Sequence, residues 1–167
     1  MPLEAQWALI RRAFSAAFVS SLHYSIAAVS PDGMPHVAPI GSILLLEPGR
    51  GIYFKEFPGR MPSHFDENSN VCIMGVNSSR WFWLGALLRG RFERPPAVRL
   101  YGTVGIRRRA SAQEVDRWLR RVRPVRFTQG HQLLWSNMQM VRELHFTSFD
   151  IASLGAITED LFHQWSS

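Results

Sequence analysis

Cysteine, lysine and long apolar runs are nearly absent from this chain, and each shortage removes a class of function. Cys72 is the single cysteine in 167 residues, so no disulfide can form within the chain. Its place between Val71 and Ile73 predicts a buried thiol in an apolar strand. The six histidines, His23, His36, His64, His131, His145 and His163, show no close ligand pairing and no accompanying cysteine pair, so no metal site is expected. No run approaches the roughly 20 apolar residues of a membrane-spanning helix. The N-terminus has neither the apolar core nor the cleavage site of a secretory leader. These absences predict a cytoplasmic protein with no membrane partner. A Gly-x-Ser-x-Gly elbow, a glycine loop ending in lysine-serine and convincingly spaced carboxylate pairs are missing as well.

What is present is an ordinary globular balance, 46% hydrophobic and 19% charged, which predicts one domain over residues 1–167. The net charge is +6, and 18 of the 19 basic residues are arginine. Eight of these lie between Arg107 and Arg126, together with Glu114 and Asp116. That stretch reads as a solvated basic helix face, or as a surface for nucleic acid or another anionic partner. No interleaved aromatics, helix-turn-helix or zinc-finger spacing accompany it to favour nucleic acid.

Leu3, Trp7, Ile10, Phe14 and Ala17 recur at steps of three and four, predicting a helix over residues 3–18. Residues 23–30 alternate as a strand, and "SPDG" supplies the turn of a hairpin. The partner strand is expected over 35–46, although Pro35, Pro39 and Gly41 require an edge, a bulge or close approach of another group. Further strands are expected at 52–55 and 71–76, with a short helix over 60–68 between them and a loop over 77–96 after them. Residues 97–107 alternate most cleanly, with Val98, Leu100, Gly102, Val104 and Ile106 on the inner face. Ser111 and Glu114 form a capping box for a helix with the stripe Val115, Trp118, Leu119 and Val122, ended by Pro124. A last strand covers 141–151, with a bulge where the apolar phase changes between Phe146 and Phe149. Six strands joined mostly by short turns favour an antiparallel barrel with helices at its sides or ends.

The hairpin "IAAVSPDGMPHVAPIG", the strand "GIYFKE", the segment "GRMPSHFDENSNVCIM" and the strand "VRLYGTVGIRR" occur in an order that resembles the pyridoxamine 5′-phosphate oxidase-like FMN-binding split-barrel family. The resemblance covers about residues 20–109. It implies a mainly β fold with flanking helices, a six-stranded antiparallel split β-barrel, and a homodimer with one FMN per subunit at the interface. It carries over Pro39, Ile40, Gly41 and Ser42 as the strand that passes the isoalloxazine ring; the same residues could instead form a plain corner bulge. Lys55, Arg60 and Ser63 are the candidates for the flavin phosphate, which needs cations and hydrogen-bond donors. Lys55 could also pair with Glu56 or face solvent.

The family commonly has a serine, an arginine and a lysine near this helix start, where the chain reads Gly59, Arg60 and Met61. Met61 stands where that lysine is expected, which leaves phosphate affinity and the identity of the cofactor open. The stretch "NSSRWFWLGALLRGRF" predicts that Trp81, Phe82 and Trp83 are buried in the core or in a dimer contact. Alternatively Trp81 or Trp83 stacks on the flavin, with Arg80 holding an anion across the interface. The resemblance implies an FMN-dependent oxidoreductase acting on an unidentified small molecule. Pyridoxamine phosphate oxidation itself is disfavoured, because no arginine follows Arg142. The rivals are a non-catalytic module using Arg107–Arg126 on nucleic acid or another anion, and a split barrel holding haem or a deazaflavin near His36 or His64.

Overall fold

The computed structural model describes residues 2–54, 65–129 and 138–166. Helix α1 (Leu3–Ser21) opens the chain and buries the stripe read from the sequence, Leu3, Trp7, Ile10, Phe14 and Ala17, with Phe18 added. It ends at Leu22, whose φ of 61° is the left-handed turn that stops the helix. Strand β1 (Tyr24–Val29) then turns through Ser30–Gly33 into β2 (Pro35–Ile40). Gly33 takes φ 85° there, and its N–H donates to Ser30 O at 2.9 Å.

The expected second strand is interrupted. Residues 35–40 form β2, Gly41 and Ser42 lie in neither ladder, and β3 (Ile43–Leu45) begins on the far side of the break. This is why the sheet has seven strands and not six. With β4 (Arg50–Phe54), β5 (Asn70–Val76), β6 (Ala97–Arg109) and β7 (Met140–Ile151), their order is β2-β1-β5-β6-β7-β4-β3, antiparallel at every pairing. β2 and β3 are thus consecutive in the chain yet occupy opposite edges of the sheet. A flat sheet of seven strands would be about 29 Å wide, and the three residue steps from Ile40 to Ile43 span at most about 10 Å. The sheet must therefore curl until its edges meet at Gly41–Ser42, which makes a split barrel.

α1 packs against β5 and β6, and Gly75 permits the approach: a Cβ there would lie 3.3 Å from the Ala17 Cβ. Helix α2 (Arg80–Arg89) occupies the stretch expected to be loop. Helix α3 (Ala112–Val122) has the expected capping box, in which Ser111 and Glu114 bond each other's backbone N–H. It places the fully buried Trp118 between Phe18 and Phe54, with ring centroids 6.1 and 5.9 Å away. Helix α4 (Glu159–Ser166), not foreseen in the sequence, buries Leu161 and sets Trp165 against Phe149.

The alternation of β6 holds for Val98, Leu100 and Val104, but Ile106 is exposed, because a second irregularity between Val104 and Arg107 shifts the phase where the strand leaves the core. The bulge expected in the last strand is present: Tyr101 faces Ser148 and Gly102 faces Phe146, leaving Thr147 as the extra residue. Cys72 is half-buried rather than buried, because it belongs to the outward face of the sheet opposite Ala27 and Tyr101. Burial raises its thiol pKa.

Candidate functional site

The break between β2 and β3 is where the resemblance places Pro39, Ile40, Gly41 and Ser42. Pro39 faces Ser25 on the exposed edge strand, where its missing N–H costs no ladder bond, and the half-buried Ile40 faces Tyr24. Ser42 is buried and tied to the end of β4: its Oγ donates to Phe54 O at 2.7 Å, and its own carbonyl accepts the Phe54 N–H at 3.0 Å. These bonds continue the β3–β4 register one residue beyond Ile43. Gly41 lies between β2 and β3, outside both strands.

Lys55, Arg60, Ser63, Met61 and His64 lie outside the described residues. The described residues that bracket them are Phe54 and Phe65. Phe54, immediately before Lys55, is the residue bonded to Ser42. Phe65, immediately after His64, is buried with its ring 6.2 Å from that of Tyr53, the neighbour of Phe54. Phe54 and Phe65, the described residues on either side of that segment, thus both lie beside Tyr53.

Asp66, at that return, pairs with Arg142 at 2.7 Å. The Arg142 side chain is almost wholly buried and also donates to Gly105 O at 3.3 Å. The sequence reading did not single out Arg142 as a site residue; the available signal was a lone cation inside the apolar run of β7. Burial pushes the Tyr53 hydroxyl up to about 12, with the Arg142 charge acting in the opposite direction.

Among the described residues, no hydrogen bond or ring contact joins Arg80, Trp81 or Trp83 to this bend. Arg80 and Trp81 line an open cleft of about 1090 Å³ between α1 and α2, with Arg12, Val19, Arg89 and Arg94. Trp83 is half-buried: its Nε1 donates to Asn77 O at 2.7 Å and its ring stands edge-on to Phe92. Phe82 also packs on Phe92, but Trp81, expected to be buried, is 82% exposed. His36 is half-buried in β2 opposite Ala28.

Within Arg107–Arg126 several cations are engaged inside the chain. Arg108 bridges Glu114 and Glu143 at 2.7 and 3.0 Å, Arg120 pairs with Asp116, and Arg121 lies over the Phe18 ring and donates to Tyr24. The stretch is in good part structural. Among the described residues no His, Cys, Asp and Glu group is arranged to hold a metal, and no helix is long and apolar enough to cross a membrane.

Neither a protein-family model nor a curated protein matches the sequence. Solved structures do match its fold. An FMN-binding protein from Syntrophomonas wolfei superposes with a TM-score of 0.61 at 11% identity, over 90% of each chain. A candidate pyridoxamine 5′-phosphate oxidase from Listeria innocua gives 0.51 at 12% identity, covering 85% of this chain and 97% of that one. The chain has the pyridoxamine 5′-phosphate oxidase-like split-barrel fold. An F420 reductase is similar to this split barrel too, with a TM-score of 0.53 at 12% identity over 82% of this chain and 95% of that one.

Proposed function

We propose that this split barrel binds FMN along the Pro39–Ser42 bend and works as a flavin-dependent oxidoreductase on a small molecule. The observation that carries the reading is the break between β2 and β3: Ser42, bonded to Phe54, follows Gly41 in a short segment outside the strands, and Phe54 directly precedes Lys55 in the chain. An isoalloxazine ring suits a backbone surface with no Cβ, and a phosphate suits the cations and hydroxyl that follow Phe54. When bound, the flavin supplies hydride transfer at N5. Pro39 to Ser42 position the ring, Lys55, Arg60 and Ser63 neutralise the phosphate, and Arg142 fixes the returning chain through Asp66.

The working unit is a homodimer in this reading. The outward face of β2, β1 and β5 is largely uncharged, with Val37 69% exposed beside Ala27, Cys72 and Met74. Such a face favours cover by a second copy. A deazaflavin is the second reading, supported by Met61 in place of the usual lysine and by the likeness to an F420 reductase.

The test is FMN retention by the full chain and by Lys55→Ala/Arg60→Ala after removal of free flavin. Each lost charge-assisted contact contributes about 1.5 to 3 kcal/mol, so the double variant should bind at least about tenfold more weakly. Equal retention by both proteins would remove the phosphate assignment.

A further inference from the structure

The cleft of about 1090 Å³ between α1 and α2 has a lining of two kinds. One part is cationic: Arg12 comes from α1, Arg80 and Arg89 from α2, and Arg94 from the chain that follows it. The other is apolar, with Val19 of α1 and with Phe82, Ala86 and Phe92 from the α2 side. Trp81, 82% exposed, adds a large flat ring.

The two sides are fixed to each other. The Ser78 N–H donates to Ser20 Oγ at 2.9 Å, which ties the entry of α2 to the end of α1. Ser79 caps α2 by accepting the Phe82 N–H, and Trp83 Nε1 donates to Asn77 O at 2.7 Å. A preformed concavity of this size accepts a nucleotide-sized ligand.

The chain does not neutralise the charges it places there. Among the described residues Arg12, Arg80 and Arg94 have no carboxylate partner, and the acid lining the cleft, Glu93, lies 3.6 Å from Arg89. By contrast Arg50, Arg99, Arg108, Arg120 and Arg142 each form an ion pair. Guanidinium groups gathered in one concavity repel one another, and an entering anion removes that cost. Arg12 and Arg94 also line a second cavity of about 460 Å³ that reaches Leu9, Pro95 and Trp165, so they stand where the two cavities meet.

We propose that the α1–α2 cleft binds a nucleoside phosphate, with its phosphate among Arg12, Arg80 and Arg94 and its base against Trp81. The planar fork of arginine matches phosphate oxygens in pairs. An inorganic anion would leave the apolar lining in water, and an uncharged ring would leave the guanidinium groups unmatched; a phosphate joined to a flat ring satisfies both. The exposed indole offers the stacking surface that such a ring uses. The lining includes none of Pro39, Ile40, Gly41 and Ser42, so within the chain this site is separate from the flavin bend.

The test is calorimetric titration of ADP into the full chain, as purified and after incubation with FMN and removal of the excess. One ADP per chain is expected in both samples, with adenosine and inorganic phosphate each binding at least about tenfold more weakly. Arg12→Ala/Arg94→Ala should weaken ADP binding at least about tenfold, and Trp81→Ala about fivefold or more, with unchanged circular dichroism and FMN retention. Absence of ADP binding, equal binding by the arginine variant or equal binding of inorganic phosphate overturns the proposal. Loss of ADP binding after FMN treatment would assign the cleft to the flavin and overturn it. A single-stranded oligonucleotide binding at least about tenfold more tightly than ADP would assign the cleft to nucleic acid and overturn it as well. FMN retention is read separately by absorbance, so this cleft and the flavin bend stand or fall independently.

Discussion

Ser42 and Phe54 are joined by two hydrogen bonds, hydroxyl to carbonyl at 2.7 Å and amide to carbonyl at 3.0 Å, and this pairing extends the β3–β4 register by one residue at the point where β2 gives way to β3. Ser42→Ala removes the first bond and keeps the second. The expected loss of stability is about 1 to 2 kcal/mol, read from denaturant unfolding, with a parallel loss of FMN affinity because Gly41 is no longer held in place. An unchanged midpoint would show that the backbone bond alone sets the bend.

Gly102 sits at the β6–β7 bulge, where a Cβ would fall 1.9 Å from the His145 carbonyl oxygen and 2.8 Å from its carbon. Both obstacles are backbone and cannot rotate away. Gly102→Ala should cost about 3 kcal/mol or more or prevent folding. A variant within about 0.5 kcal/mol of the wild type would mean that the two strands separate readily there.

Acid stability should depend on Glu114 and Glu143. Arg108, bonded to both, holds each carboxyl below its ordinary value. A lowered folded-state value stabilises above the unfolded carboxylate's value, about 4.3, and that contribution disappears as pH falls through the folded value. The Tm advantage of wild type over Glu114→Gln should accordingly shrink from neutral pH toward about pH 3. A constant difference would show that the pair acts by packing alone.

The three tyrosines should resist ionisation in the folded protein. Burial pushes Tyr24 and Tyr53 up to about 12, and Tyr101 is raised by burial and by donating to Asp150. The folded state thus favours the neutral phenols. The contribution of Tyr24 and Tyr53 is complete below the ordinary value of 10.0 and is lost as pH rises toward about 12. Phenolate absorbance from Tyr24 and Tyr53 should appear together with unfolding and well above pH 10.0. Separate ionisation near that value in a folded protein would contradict the burial.

Where periodicity or capping chemistry operates locally, the sequence was legible. The α1 stripe, the Ser111–Glu114 box, the "SPDG" turn and the bulge near Thr147 are each set by a few adjacent residues. α2 was hidden for a physical reason: its apolar residues point all ways, so "RWFWLGALLR" has no amphipathic stripe to read. The break in the 35–46 strand was signalled by Pro39 and Gly41, but that its halves lie on opposite edges is a property of the whole sheet. Arg142 escaped for the same reason, since its partner Asp66 is 76 residues away in the chain.

The account's central claim is that flavin binds at the bend, and the visible absorbance spectrum of the purified protein tests it most directly, before and after incubation with FMN and removal of the excess. The account predicts a retained flavin spectrum approaching one FMN per chain, and its loss in Lys55→Ala/Arg60→Ala. Absence of bound flavin in both samples, or a haem or deazaflavin spectrum in its place, would contradict it.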